Sequence, residues 1–447
     1  MDITLDKKSS TEALIKITLK EKDYQPNVEE KVKEYARKAN IKGFRPGKVP
    51  PGLIRKMYGK SILVEEVNKL LSESVNNYIK ENDLKLLGDP LPDLEKAESV
   101  DWENQKEFEF DYSVGLVDDF NVDLSEKTKA TRYRIELDKK TLDETLDNIK
   151  EQFGKQSNPE KPSKGDDFMG ELKEKDGELS NEGIIKFEYL SKSGEKKLLA
   201  AKPGDEVELD IKKDFKDAHA VSHALNVGED KAGELSGKYT FSLDKINHVE
   251  PAEMNQELFD SVFGKGAVDG EKAFIDKVKE TVEENYNRET EHFLDQQIRN
   301  TYIDKTKIEV PDNFLKKWLL RSNEGKVTEE DIAREYDEYV KGMKWDLIKN
   351  RVADENEVNV EHEDVVNKAK SMILQQLGGA GAASQLMDHM DAFADNYLKA
   401  ENGQNYMRLY GELRDERVLE LIKNKISIKD KKVSLDEFKK VVEKESE

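Results

Sequence analysis

The chain has 447 residues, no cysteine, and 96 acidic against 74 basic side chains. Its 38% charged residues, against 36% hydrophobic, exceed the ~25% of ordinary globular proteins and favour an elongated molecule of about three domains at ~150 residues each. The lack of cysteine excludes disulfides, thiolate nucleophiles and iron–sulfur clusters. We expect a soluble, cytoplasmic protein without a membrane partner, because neither a signal-peptide pattern nor the ~18–20 apolar residues of a membrane helix are present.

The basic residues are concentrated in one window. A net charge of −22 opposes general nucleic-acid binding by the whole surface. Residues 31–60, however, contain ten basic side chains and one acidic one, a net of +9, which leaves −31 for the rest of the chain. This asymmetry indicates a local basic site.

The N-terminal region, residues 1–115, predicts an α+β domain. After an early alternating strand, a helix is expected in which Pro26 takes a first-turn position, where proline is tolerated. A break rich in glycine and proline at 41–52 separates this helix from a second one predicted over 61–82. Clean alternation of apolar and polar residues over 107–117 is the strongest strand signal in the chain.

The middle of the chain predicts a connector followed by a small β-rich domain. Residues 116–156 contain one strand and a helix that Asp138 can cap. A polar segment with two prolines ends the connector, and residues 157–250 then change in character. Three short β-like runs separated by turn residues are predicted in this domain, at 184–190, 206–211 and 239–246.

The C-terminal region, residues 251–447, predicts an all-helical domain, because apolar side chains recur at helical spacing and prolines are almost absent. Thr328 and Ser434 are the expected N-caps, the second with Glu437 at capping-box spacing. The fold class predicted for the whole chain is therefore α+β multidomain.

The break between the first two helices carries the string GFRPGKVP at 43–50. Glycine permits turn geometry there, Pro46 stiffens the loop, and Phe44 lacks an obvious internal partner. Arg45 and Lys48 can each contact a phosphate or a carboxylate. The alternative is a charged turn whose phenylalanine packs into its own domain, and spacing alone does not separate the two. The candidate binding residues are Gly43, Phe44, Arg45, Pro46, Gly47 and Lys48.

This string resembles the ribosome-docking loop of the bacterial trigger factor family, whose Gly-Phe-Arg-x-Gly-Lys motif is present in full. The order of domains and the Pro-Ala-Glu-Met-Asn stretch that starts at Pro251 are also similar to that family. The resemblance implies an ATP-independent chaperone that docks on the large ribosomal subunit beside the exit tunnel and contacts a ribosomal protein and rRNA there. It implies transient holding of nascent and unfolded polypeptides, and dimerisation away from the ribosome. No cofactor is expected, because neither a P-loop nor a Rossmann glycine fingerprint occurs.

A chaperone that does not hydrolyse a nucleotide needs many weak, reversible apolar contacts with its clients. We expect these contacts on the helical domain, with methionine among them because its side chain adapts to varied partners. The commoner use of such an apolar stripe is packing between helices, and the sequence leaves that alternative open. The candidate client-binding residues are Met372, Leu377, Leu386, Met390, Phe393 and Tyr397.

Members of the family carry an FKBP-like peptidyl-prolyl isomerase domain at the position of residues 157–250, and its activity depends on an aromatic-lined pocket. This region has six aromatic residues and no tryptophan. We expect its Tyr239 and Phe241 to lie in the core, and we expect the family's Asp-Phe-x-Gly strand and Ile-Pro-Gly-Phe run to be missing, with Gly-Glu-Leu-Lys at 170–173 nearest to the first. The prediction is an FKBP-like half-barrel fold with isomerase activity lost or nearly lost. An active isomerase and a structural adaptor with one fixed partner are the alternative functions.

The sequence gives only weak signals for a metal site or a catalytic site. His219 and His223 stand four residues apart and can share one helical face, but no acidic third ligand is evident in the sequence. Two independent surface histidines are the expected interpretation. We therefore predict neither a metal site nor a catalytic residue.

Overall fold

The computed structural model describes residues 1–42, 44, 45, 47–175, 179–376 and 389–446. The chain divides into two compact units, and each unit is built from two separate segments. The first comprises residues 1–131 and 294–429, and the second comprises residues 132–293 and 430–447. The domain boundaries predicted at 115, 156 and 250 stay predictions.

The N-terminal part of the first unit is an antiparallel sheet with two long helices packed on it. Its elements are β1 Asp2–Lys7, β2 Glu12–Lys20, α1 Glu21–Lys38, α2 Pro51–Glu81, β3 Leu91–Pro92, α3 Leu94–Glu98 and β4 Glu107–Gly115. The strand order is β1–β2–β4–β3. Alternate residues of β2, among them Ile15, Ile17 and Leu19, are buried against α1 and α2 in one apolar core. The strand predicted over 107–117 is confirmed as β4.

The predicted starts of the first two helices are wrong. Helix α1 begins at Glu21, where the Asp23 carboxylate accepts a hydrogen bond from the Lys20 N–H at 2.9 Å. Pro26 consequently lies in the second turn of α1. Helix α2 begins at Pro51 rather than at residue 61, because proline suits the first position of a helix.

The connector and the middle domain contain a second antiparallel sheet, several helices and one strand that lies outside this sheet. The elements are β5 Lys129–Ile135, α4 Lys139–Gln152, β6 Lys155–Ser157, β7 Asp167–Glu174, β8 Ser180–Ile185, α5 Lys192–Leu198, β9 Glu206–Asp210, α6 Ile211–Asp214, α7 Ala218–Leu225, α8 Glu229–Glu234 and β10 Lys238–Glu250. The strand order is β6–β10–β7–β8, and β9 also pairs with β10. Asp138 caps α4 as predicted, accepting from the Thr141 N–H at 2.8 Å. The run expected over 184–190 is not one strand, because β8 ends at Ile185 and a 3₁₀ turn follows at Phe187–Tyr189.

The C-terminal elements are mostly helical. They are α9 Gln256–Phe263, α10 Glu271–Lys305, α11 Asp312–Ser322, α12 Glu329–Glu355, α13 His362–Gln376, α14 Met390–Lys399, α15 Gln404–Lys425, β11 Ser427–Val433 and α16 Leu435–Ser446. Thr328 caps α12, and Ser434 and Glu437 exchange the two hydrogen bonds of a capping box, so both predicted caps are confirmed. The expectation of an all-helical region is wrong, because β11 forms a two-stranded sheet with β5.

Candidate functional site

The loop between α1 and α2 is shaped by short local hydrogen bonds. The Phe44 N–H donates to the Ile41 carbonyl at 3.0 Å, and the Lys48 N–H donates to the Arg45 carbonyl at 2.9 Å. Gly47 has φ of +78°, a left-handed conformation that favours glycine. Two predicted residues, Gly43 and Pro46, lie outside the described part of the chain.

Apolar anchors lie on either side of the loop, and the phenylalanine between them is partly exposed. Ile41 packs against the core of the N-terminal sheet, and Val49 is only 4% exposed in the same core. Phe44 stands between these anchors and is 39% exposed. The structure therefore places Phe44 outside the core, contrary to the alternative in which it packs into its own domain. An exposed aromatic ring on a constrained loop is suited to insertion into a partner surface.

Several cations of the basic window have no ion-pair partner among the described residues. Of the ten basic side chains in the window 31–60, four form ion pairs with acidic groups: Lys31, Lys38, Arg55 and Lys60. For example, Lys38 Nζ lies 2.5 Å from Glu34 Oε1, and the Lys38 ammonium lowers the pKa of that carboxyl. The remaining six are exposed and form no ion pair with any described residue, and they are Lys33, Arg37, Lys42, Arg45, Lys48 and Lys56. These six are available to an anionic partner.

Three further exposed apolar side chains, which the sequence does not predict, lie on the two helices that flank the loop. Tyr35 on α1 is 37% exposed, and Met57 and Tyr58 on α2 are 50% and 42% exposed. Tyr58 shares a four-residue spacing with the buried Ile54 and Ile62, so periodicity assigns it to the core. The only sequence signal for its exposure is its position in the basic window.

The predicted client-binding residues have different surroundings. Phe393 on α14 is 42% exposed, whereas Met390 is 5% exposed. Met372 and Tyr397 are half-buried and pack against the core formed by α13, α14 and α15. Leu377 and Leu386 lie outside the described residues. Within this set, only Phe393 presents a large exposed apolar surface among the residues that the structure describes.

A groove between α11 and α12 offers a second apolar surface in the first unit. Its volume is about 360 Å³, and Tyr336 and Tyr339 lie along it with ring centroids 6.5 Å apart. Burial and a hydrogen bond from the Tyr336 hydroxyl to Asp312 Oδ1, at 2.8 Å, raise the pKa of that tyrosine. The apolar lining residues are Leu319, Val327, Ile332, Tyr336 and Tyr339.

Most aromatic side chains of the middle domain lie in its core. Tyr239 and Phe241 have no exposed surface, in agreement with the prediction. Phe168 and Phe215 are also buried, and only Phe187 and Tyr189 are half-buried. The apolar face of the sheet is covered by α5 and α7, whose buried side chains include Leu198, Val221 and Leu225. Aromatic rings are therefore used for packing.

One sequence expectation for this domain is wrong. Asp167, Phe168, Met169 and Gly170 do form an Asp-Phe-x-Gly run, and the run lies on β7. A Cβ at Gly170 would be 1.9 Å from the Ser242 carbonyl oxygen, so glycine is required by the close approach of β7 and β10. Burial raises the pKa of the half-buried Asp167. This part of the family pattern is thus present.

Neither a metal centre with three or more protein ligands nor a membrane-spanning helix is found in the part of the chain that the structure describes. There, no three His, Cys, Asp or Glu side chains converge as metal ligands. None of the helices in the same residues combines the length and apolar character needed to cross a membrane.

Comparison with known proteins gives matches along the chain. Family models described as "Bacterial trigger factor protein (TF)", "Probable trigger factor, FKBP-like domain" and "Probable trigger factor, C-terminal domain" match residues 1–149, 156–251 and 290–442. The trigger factor of Pelagibacter ubique is 25% identical over 99% of this chain and 89% of its own length, and that of Marinobacter nauticus is 23% identical over 98% of both. A solved trigger factor chaperone is 17% identical, covers 94% of this chain and 99% of its own, and superposes with a TM-score of 0.45. From the three successive family models and the nearly full-length relatives, we conclude that the chain belongs to the bacterial trigger factor family.

Proposed function

We propose that this protein is a ribosome-associated, ATP-independent chaperone of the cytoplasm that docks through the loop between α1 and α2. The observation that carries the proposal is the exposed Phe44, which lies between Ile41 and Val49 and beside Arg45 and Lys48, two cations with no ion-pair partner among the described residues. The expected docking partner is the large ribosomal subunit beside the nascent-chain exit. One exposed aromatic ring supplies apolar contact area, and the cations supply attraction to rRNA phosphates or protein carboxylates.

The docking assignment is tested by single alanine variants of Phe44, Arg45 and Lys48 in a ribosome co-sedimentation assay. Each side chain is exposed, so we expect unchanged circular dichroism and at least a tenfold loss of ribosome affinity for Phe44→Ala. Lys38→Ala is the matched control, because Lys38 is a basic residue of the same window that is already paired with Glu34. Equal affinity of the wild type and all three loop variants would reject the assignment.

We propose that clients are held by several weak apolar contacts on the helical part of the first unit. Phe393 and the groove that contains Tyr336 and Tyr339 are the surfaces that support this proposal. Each contact is weak by itself, so release requires no nucleotide. Met390 is 5% exposed and contributes only if its helix moves, so we expect Phe393→Ala to weaken suppression of client aggregation more than Met390→Leu does. The assay uses several unrelated unfolded proteins, and an effect on only one of them would favour a dedicated adaptor.

The isomerase alternative retains one supporting observation, the Asp-Phe-x-Gly run at 167–170. We nevertheless expect low activity, because four of the six aromatic rings are buried in the core of the middle domain and helices cover its sheet. A proline-peptide isomerisation assay on the full chain decides between the two. Catalysis at the level of other family members would establish the alternative. Dimerisation away from the ribosome stays a prediction from the family.

A further inference from the structure

The two histidines of α7 lie side by side at the surface of the second unit. The ring centroids of His219 and His223 are 4.5 Å apart and the ring planes are inclined by 65°. Both side chains are exposed, and their four-residue spacing places them on one face of the helix. The sequence indicates no acidic residue that contacts this pair, but the fold supplies one from the next helix.

Glu229 of α8 fixes the state of the His219 ring. Its Oε1 lies 2.6 Å from His219 Nδ1. An ionised carboxylate can only accept a hydrogen bond, so Nδ1 carries a proton and the neutral ring keeps a free lone pair on Nε2. Metal-bound histidines in proteins are oriented by the same carboxylate–imidazole contact. The Nε2 atom of His219 is therefore able to bind a metal ion.

We propose that His219 and His223 bind one late first-row divalent ion, Cu²⁺ or Ni²⁺, with water completing the coordination. Metal–nitrogen bonds of ~2.0–2.1 Å put the ion ~3.2 Å from each ring centre. Two rings bonded at a right angle then have centres ~4.5 Å apart, whereas a tetrahedral angle gives ~5.2 Å. The 4.5 Å between the ring centres equals the right-angle separation, which square-planar or tetragonal Cu²⁺ and Ni²⁺ prefer, so the pair can chelate one ion when a nitrogen of each ring turns toward it.

A tyrosine of the 3₁₀ turn before α5 packs beside the two histidines. The Tyr189 ring lies 5.4 Å from the His223 ring and 6.1 Å from the His219 ring. Tyr189 is half-buried, so it limits the directions in which the imidazoles can turn. Restricting the rotation of both ligands reduces the entropy that is lost when an ion binds.

The test is titration of the full-length protein with Cu²⁺ and, separately, with Ni²⁺, in a buffer that contains glycine as a competing ligand. We expect one site, and an electron paramagnetic resonance spectrum of the Cu²⁺ form, recorded without glycine, with two nitrogen ligands. His219→Ala and His223→Ala should each lower the affinity at least tenfold and leave one nitrogen. Glu229→Gln should keep two nitrogens and lower the affinity by about 10- to 100-fold. His389→Ala, which removes an exposed histidine elsewhere, is the control and should change nothing.

Unchanged affinity in either alanine variant, or a spectrum with fewer than two nitrogen ligands, would overturn the proposal. Circular dichroism of each variant checks the fold of the α7 region. Should an alanine variant unfold, His219→Gln and His223→Gln repeat the test with side chains of similar polarity.

Discussion

Val49 and Phe44 belong to one loop but have opposite environments: Val49 is 4% exposed in the core of the N-terminal sheet, and Phe44 is 39% exposed. Burial of the valine, together with the half-buried Ile41, fixes the two ends of a short segment from which the phenylalanine projects. Affinity for a partner then gains from a loop that is already ordered before binding.

The contrast between the buried Val49 and the exposed Phe44 predicts different effects for Val49→Ala and Phe44→Ala. Val49→Ala removes buried methyl groups and should lower the free energy of unfolding of the first unit by about 1–3 kcal/mol. Because the loop loses its anchor, ribosome affinity should fall as well. Phe44→Ala should lower affinity without a change in stability. Urea denaturation and co-sedimentation of both variants measure the two effects, and full stability in Val49→Ala would show that the anchor is unimportant.

The unpaired cations predict a specific dependence on salt. A triple alanine variant of Lys33, Arg37 and Lys56 removes three cations that have no ion-pair partner among the described residues. If these cations contact rRNA phosphates, the slope of log affinity against log salt concentration should decrease by about 2–3. Ribosome binding measured over a series of salt concentrations gives this slope.

The control for this prediction is a triple alanine variant of Lys38, Arg55 and Lys60. These three cations come from the same window but are paired with acidic side chains. Both triple variants change the net charge equally. A difference between their salt-dependence slopes therefore reports whether the removed cations were free to contact the partner. Identical slopes for the two variants would mean that only net charge matters.

The close approach of β7 and β10 at Gly170 leaves no room for a side chain in the middle domain. A methyl group at this position would lie 1.9 Å from the Ser242 carbonyl oxygen, which is backbone and cannot turn away. Gly170→Ala should therefore destabilise the middle domain by more than about 3 kcal/mol or prevent its folding. At Gly228 a new Cβ would meet nothing within 4 Å, so Gly228→Ala should be nearly neutral. Denaturant unfolding of both variants checks the contrast, and similar stabilities would contradict the close approach of the strands.

Glu208 predicts a dependence of stability on pH. Hydrogen bonds from Lys175, at 2.7 Å, and from Lys238, at 2.5 Å, lower the pKa of Glu208 from 4.5 to about 2. A folded-state pKa below the unfolded value stabilises the protein above pH 4.5, and this contribution is lost as the pH falls toward 2. The difference in Tm between the wild type and Glu208→Gln should hence be constant near neutral pH and shrink between pH 4.5 and 2. A difference that is independent of pH in that range would contradict the assignment.

Local chemical signals account for what the sequence predicts well. The caps at Asp138, Thr328 and Ser434 depend on residues at most three positions away, and all three are confirmed. The docking-loop motif is equally local. The exposure of the Phe44 side chain, however, depends on Val49 and Ile41, which contact a core assembled from distant strands.

Features that depend on distant partners are not predicted. Strand β11 pairs with β5, which lies far away in the chain, so helical spacing around it dominates the sequence signal. Tyr58 has the same spacing as Ile54 and Ile62, and only the tertiary fold leaves it exposed. The contact of Glu229 with His219 joins two helices across a turn, and no spacing rule indicates it.

The most direct test of docking is site-specific cross-linking. A photo-reactive phenylalanine analogue is placed at Phe44, and a matched protein carries it at Leu94, an exposed apolar residue of the same unit at 51% exposure. After binding to ribosomes and irradiation, we predict that position 44 cross-links to a protein or rRNA of the large subunit and that position 94 does not. Absence of a cross-link from position 44, or equal cross-linking from both positions, would contradict docking through this loop.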